Sequence, residues 1–236
     1  MRTLLPIAVL VMFTLGDAAD DPSCGIRDWN PKNIRSDSVV SRFTLMSNLP
    51  SARDGKVYLC GGTLISPTVV LTAAHCVPAS SSPKEYVLYV GADRVGGYRQ
   101  HSIERKVRAL EFVSHPLWMA SSFYPYNYDV ALIKISPAVP HMPACVSTAH
   151  PGPHQVCFAI GFGMYSSNHH ELPPELLFAR VRVQSFDVCN AQMGGKAGDS
   201  GGPLLCADVD GDNTIYSVHG VNSWGVGYCQ DPLNRE

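Results

Sequence analysis

Eight cysteines, at positions 24, 60, 76, 145, 157, 189, 206 and 229, constrain this 236-residue chain more than any other feature. All of them follow an N-terminal stretch laid out as an export signal. Met1-Arg2-Thr3 gives a basic start, Leu4 to Leu15 an apolar run, and Gly16-Asp17-Ala18 a small-residue exit. A run of that length falls short of the ~20 residues needed to cross a bilayer. Residues 1–18 are therefore expected to be a signal peptide, and the mature protein to be secreted to the extracellular space. In an oxidising compartment an even set of cysteines implies disulfides, here four. The Cys-x-x-Cys spacing of structural zinc sites does not occur, so no metal is expected. Counting does not say which cysteines pair.

The rest of the chain must then form a packed domain. With 45% hydrophobic and 16% charged residues it is apolar enough for a sizeable core. A net charge of -2 supplies no basic field for nucleic acid and no cationic face for a membrane, so neither is an expected partner. From Phe43 onward short apolar runs alternate with Gly, Pro, Ser and Asn: Val57-Tyr58-Leu59, Val69-Val70-Leu71, Tyr86 to Val90, and Ala131 to Ile135. These read as β-strands. Helical periodicity is scarce, which predicts an all-β barrel or sandwich without repeats. Residues 19–33, rich in Asp, Pro and Asn, are expected to be an extended leader ahead of one domain over 34–236.

Three motifs inside that domain carry chemistry: Leu71-Thr72-Ala73-Ala74-His75-Cys76, then Tyr128-Asp129-Val130-Ala131-Leu132-Ile133, then Gly198-Asp199-Ser200-Gly201-Gly202-Pro203. In these motifs and in their order the chain resembles the trypsin and chymotrypsin family of serine proteases, from about Ile34 to Cys229. The resemblance implies two packed antiparallel Greek-key β-barrels and a serine endopeptidase acting through an acyl-enzyme. It makes His75, Asp129 and Ser200 the catalytic triad. A serine hydroxyl is a poor nucleophile unless a base takes its proton, the role of His75. A buried carboxylate, Asp129, would fix the tautomer of that imidazole and stabilise its cation. The N–H groups of Gly198 and Ser200 would form the oxyanion hole.

The same resemblance assigns further positions. Ser223-Trp224-Gly225 matches the strand that pairs with an extended substrate backbone, with Ser223 also near the catalytic Asp. Cys60-Gly61-Gly62-Thr63 matches a structural position, as does Gly161-Phe162-Gly163, with Phe where Trp is usual. Among the cysteines it implies Cys60–Cys76, clamping the His loop, and Cys157–Cys206, tying the two barrels. It also implies Cys24–Cys145, tethering the leader, and leaves Cys189–Cys229 as the fourth bridge. The implied partner is a protein or peptide substrate, with an activating protease or a protein inhibitor as further partners. No cofactor is implied.

The chain departs from the family pattern in three places. Activation in the family frees an Ile-Val-Gly-Gly terminus whose amine pairs with the Asp before the serine, here Asp199. That tetrapeptide is absent, and Ile34 is followed by Arg35-Ser36-Asp37. Asp129 and Ser200 lie 71 positions apart, against roughly ninety in the template. The deficit is placed between Cys189 and Gly194, among loops that build the specificity pocket. Gly194 then falls at the pocket floor and Lys196 where a Cys is usual, which implies a small or apolar substrate side chain. The chain stops seven residues after Cys229, before the family's last strand and helix. These departures support an alternative: a catalytically weak homologue that binds a protein partner.

Two other features are assigned bland roles. The eight histidines besides His75, including His169-His170, are expected to be solvated loop residues. Asp208-Val209-Asp210-Gly211-Asp212 has its glycine at the wrong offset for a calcium loop and is expected to be a hairpin turn.

Overall fold

Alternation of apolar and polar side chains at period two builds most of the observed strands. In Tyr86–Val90 every second residue is buried, and Ala131, Ile133 and Ile135 are buried while Lys134 and Ser136 are exposed. The computed structural model describes residues 24, 26–27, 46–47, 60–91, 105–118, 128–161, 176–184, 200–210 and 213–223. Among them there is no α-helix; two short 3-10 turns occupy Ala74–Cys76 and Pro83–Glu85.

The strands are β1 (Ile26–Arg27), β2 (Met46–Ser47), β3 (Thr63–Ser66), β4 (Val69–Thr72), β5 (Tyr86–Val90), β6 (Arg105–Ser114), β7 (Ala131–Ser136), β8 (Val156–Gly161), β9 (Leu177–Arg182), β10 (Pro203–Asp210) and β11 (Asn213–Val221). They form two antiparallel sheets. One has six strands in the order β2-β5-β6-β7-β4-β3, the other five in the order β1-β11-β10-β8-β9. The fold is all-β and of the chymotrypsin type, as the motifs imply. The strand expected at Val57-Tyr58-Leu59, Phe162, Gly163 and most of residues 19–33 lie outside the described residues.

Each sheet covers its own core. The first core includes Leu64, Val70, Leu88, Val90, Ile133 and Ile135, all at most 2% exposed. The second gathers Leu71, Ala144, Ile160, Leu205 and Val218. Strand β4 shows why Val69-Val70-Leu71 is continuously apolar rather than alternating: Val70 faces the first core and Leu71 the second. A strand buried on both faces has no polar side to present. Val221 likewise packs against both cores, so β4 and the end of β11 form the seam between the sheets.

Three of the four implied disulfides are formed: Cys24–Cys145, Cys60–Cys76 and Cys157–Cys206. Cys189 and Cys229 lie outside the described residues. One implied role needs correction. Cys157 on β8 and Cys206 on β10 are cross-strand partners within the five-stranded sheet, with Cα atoms 4.4 Å apart, so this bridge staples one sheet and does not tie two. Two contacts hold the described residues near the N-terminus. Cys24 is bonded to Cys145, and β1 adds itself to β11 with Ile26 opposite Tyr216 and Arg27 opposite Ile215.

The acidic stretch is a hairpin, with Asp210 paired to Asn213. His219 overturns the expectation of solvated loop histidines. It lies on β11 with its side chain 2% exposed, Nε2 bonded to Asp208 at 3.0 Å and Nδ1 to the carbonyl of Ala149 at 3.1 Å. Asp208 also accepts from the hydroxyl of buried Ser217. Local polarity misled here, because the acceptors come from a paired strand and a distant loop.

Candidate active site

His75 is presented by the 3-10 turn at Ala74–Cys76. Ala73 and Ala74 are completely buried, which leaves no room for larger side chains behind it and fixes where the turn sits. The Cys60–Cys76 bridge closes the loop on the far side, with Cys76 Sγ 3.6 Å from His75 Nε2. The ring is about one-third open to solvent, with its side chain 31% exposed.

Asp129 comes from the segment entering β7. Tyr128 takes a positive φ of 60°, with its ring stacked on His115, and Val130 N–H donates to Tyr128 O at 2.7 Å. This tight bend turns the Asp129 carboxylate inward, where its side chain is 2% exposed. Oδ1 accepts the main-chain N–H of His75 at 2.8 Å, and Oδ2 is 2.6 Å from His75 Nδ1. Oδ2 also accepts the Ser223 hydroxyl. Burial alone pushes the Asp129 carboxyl up. The hydrogen bonds from the His75 ring, Ser223 and the His75 N–H, with the charge of the ring, outweigh burial and hold it below the ordinary aspartate value. A carboxylate at Nδ1 places the ring proton there and leaves the Nε2 lone pair free.

Ser200 is buried, and its position is set through the main chain. Its carbonyl accepts from Gly61 N–H at 2.7 Å, which seats it against the residue after Cys60, whose disulfide partner Cys76 follows His75. Gly201 follows with φ +82°, a conformation that side chains rarely adopt. A Cβ there would collide with Gly61 O and Thr72 Oγ1, which are themselves hydrogen-bonded at 2.8 Å. On the other side Gly201 N–H donates to Asn222 O at 2.7 Å and Asn222 N–H to Gly202 O at 2.8 Å. The Ser200–Gly202 segment is thus gripped by Gly61, just ahead of β3, and by Asn222, just after β11.

The structure therefore brings His75, Asp129 and Ser223 into one hydrogen-bonded group and holds Ser200 by its carbonyl on Gly61. Gly194, Lys196, Gly198, Asp199, Trp224 and Gly225 lie outside the described residues. Cys60, His75 and Cys76 are ligand types in close proximity, but the two sulfurs are bonded to each other and offer no thiolate to a metal. The family model described as Trypsin matches residues 42–235. The chain belongs to the trypsin family. Members of the trypsin family are generally serine endopeptidases acting on protein or peptide substrates.

Within this trypsin-family chain, sequence reasoning passed over Gly61, Thr72 and Asn222 as parts of the site. Gly61 and Thr72 stand within quoted motifs, but their work is done by main-chain contacts to residues far away in sequence. Asn222 carried one signal, a carboxamide set between Val221 and Ser223 at the end of an apolar strand.

Proposed function

We propose that this protein is a secreted serine endopeptidase in which Ser200 is the nucleophile, His75 the general base and Asp129 the group that orients and stabilises His75. The observation that carries the reading is the pair of contacts from Asp129 to His75, 2.8 Å to its N–H and 2.6 Å to Nδ1. A histidine so held keeps an unprotonated Nε2 available to take a proton. Ser200 Oγ attacks the substrate carbonyl carbon while its proton passes to Nε2. The tetrahedral oxyanion is met by the N–H groups of Ser200 and Gly198. His75 then returns the proton to the leaving amine, the C–N bond breaks, and the acyl group stays on Ser200 Oγ. Water, deprotonated by the same nitrogen, releases the acid. Ser223, bonded to Asp129, begins the Ser223-Trp224-Gly225 strand proposed to align the substrate, and Asp199 is the proposed acceptor for a new amino terminus after activation.

Three disulfides support an oxidising, extracellular setting. Among the described residues no helix is long and apolar enough to cross a membrane. The absent Ile-Val-Gly-Gly segment and the short Asp129–Ser200 separation favour a second reading, a protein-binding homologue with weak or no turnover. One experiment separates the two. A fluorophosphonate probe should label the chain after limited proteolysis, and Ser200→Ala should abolish the labelling. No labelling after treatment with a panel of activating proteases sinks the enzyme reading and leaves the binding one.

A further inference from the structure

Asp129 has a neighbour on each side, Tyr128 and Val130, and one distant residue holds both. His115 stands just past the last ladder pair of β6 with β7, Ser114 opposite Ala131. Its main-chain N–H donates to Val130 O at 2.9 Å. Its ring lies nearly parallel to that of Tyr128, with centroids 4.8 Å apart and planes inclined by 10°. His115 is itself fastened. It opens the turn His115-Pro116-Leu117-Trp118, in which Trp118 N–H donates to His115 O at 2.9 Å and Leu117 N–H donates to the ring at Nδ1, 3.1 Å away. Pro116 presets the φ that the second position of such a turn needs, and Trp118 packs against the first core. A ring that accepts at Nδ1 carries its proton on Nε2, and the accepted bond fixes the plane on which Tyr128 lies.

The stack has strain to oppose. At a φ of 60° Tyr128 is in the left-handed region, where its Cβ crowds its own backbone. Its side chain does not sit in a core, since the residue is 50% exposed. We propose that His115 is a positioning residue for Asp129: its ring holds Tyr128 in the left-handed bend that turns the Asp129 carboxylate toward His75. The consequence for rate rests on the endopeptidase reading above; the consequence for geometry does not. A stacked aromatic pair is worth a factor of about 2 to 12 in an equilibrium. Left-handed backbone is disfavoured by a factor of about 5 to 30. The two are of one order, so without the ring the bend relaxes and Oδ2 is no longer held at Nδ1.

The test uses the full chain, well below the melting temperature of each variant, with two readouts. The first is the proton resonance of the 2.6 Å contact between His75 Nδ1 and Asp129 Oδ2, shifted downfield as in any short, charge-assisted hydrogen bond and assigned by its loss in His75→Gln. The second, after limited proteolysis, is the rate of fluorophosphonate labelling at Ser200. His115→Ala should move the resonance upfield and slow labelling by about 2- to 12-fold. His115→Phe, which keeps a ring for the stack, should retain most of both. Tyr128→Gly removes stack and strain together, so in that background His115→Ala should change neither readout. A resonance unmoved in His115→Ala, an equal loss in His115→Phe, or an undiminished effect of His115→Ala in the Tyr128→Gly background each overturns the inference. Failure of the unsubstituted chain to label removes the endopeptidase reading, and the resonance then decides the inference by itself. Should His115→Ala fail to fold, Tyr128→Ala and Tyr128→Phe make the same comparison: the resonance moves in the first and stays in the second, and equal positions overturn the inference.

Discussion

Replacing Gly201 with alanine is the sharpest test of how Ser200 is seated. Three costs add. An alanine held at a φ of +82° costs about 1–2 kcal/mol through clash with its own backbone. The new methyl displaces the Thr72 hydroxyl from Gly61 O, a 2.8 Å hydrogen bond whose net contribution is about 1 kcal/mol. Because Gly61 O is main chain and cannot swing aside, the surroundings must open as in an overpacked core, at about 1–3 kcal/mol. The total is about 3–6 kcal/mol, which for a chain of this size lowers Tm by about 6–24 °C. Gly152→Ala is the matched control, since a Cβ there meets nothing within 4 Å. Both variants stiffen the unfolded chain alike, so subtracting one from the other removes that effect. The assay is thermal unfolding followed by circular dichroism. A Gly201→Ala protein that melts within 2 °C of Gly152→Ala, against the several degrees expected, would refute the close approach of Gly201 to Gly61 and Thr72.

Three further outcomes follow from the site and its surroundings. The folded pKa of Asp129 is depressed, so its contribution to stability is complete above the unfolded carboxyl value of about 4 and is lost as pH falls through the lower folded value. Asp129→Asn should accordingly flatten the acid limb of Tm against pH below about pH 4, and an unchanged limb refutes the depression. Ser223→Ala removes one donor to that buried carboxylate; it should cost about 1.5–3 kcal/mol in urea unfolding, and a loss below about 0.5 kcal/mol argues that the contact contributes nothing. His219→Leu removes the ring that contacts both Asp208 and Ala149 O, with an expected loss of about 1–3 kcal/mol and faster hydrogen exchange at Ser147, whose N–H donates to Val218 O beside it. Unaltered exchange at Ser147 would show that the histidine does not hold that loop.

The candidate site residues were more legible in the sequence than the scaffold that positions them. His75, Asp129 and Ser200 stand in contiguous motifs, so local sequence sufficed to nominate them, and the contact from Ser223 to Asp129 was anticipated. The strands at Tyr86–Val90 and Ala131–Ser136 showed themselves by period two. Strand β4 did so only as an apolar run, since its two buried faces erase the alternation. What sequence could not show was pairing across long separations. His219 looks solvated among its chain neighbours and is buried by Asp208 and Ala149. Cys157 and Cys206 could have joined two sheets or one, and only the strand order decides. Asn222 looks like an ordinary polar residue at a strand end, and only the pairing shows its main chain bonded to Gly201 and Gly202.

The grip on Ser200–Gly202 has a mechanical consequence. Gly61 holds the segment from the six-stranded side and Asn222 from the five-stranded side, so Ser200, the proposed nucleophile, belongs to neither half of the molecule. A slip of one half against the other by a fraction of a hydrogen-bond length would carry Ser200 away from His75 before either core met water. The hydroxyl would then act as a gauge of alignment, falling silent while the cores stay dry. Reactivity that fades with rising temperature ahead of the melting transition would be its signature, and reactivity that tracks melting point for point would show that the halves move as one.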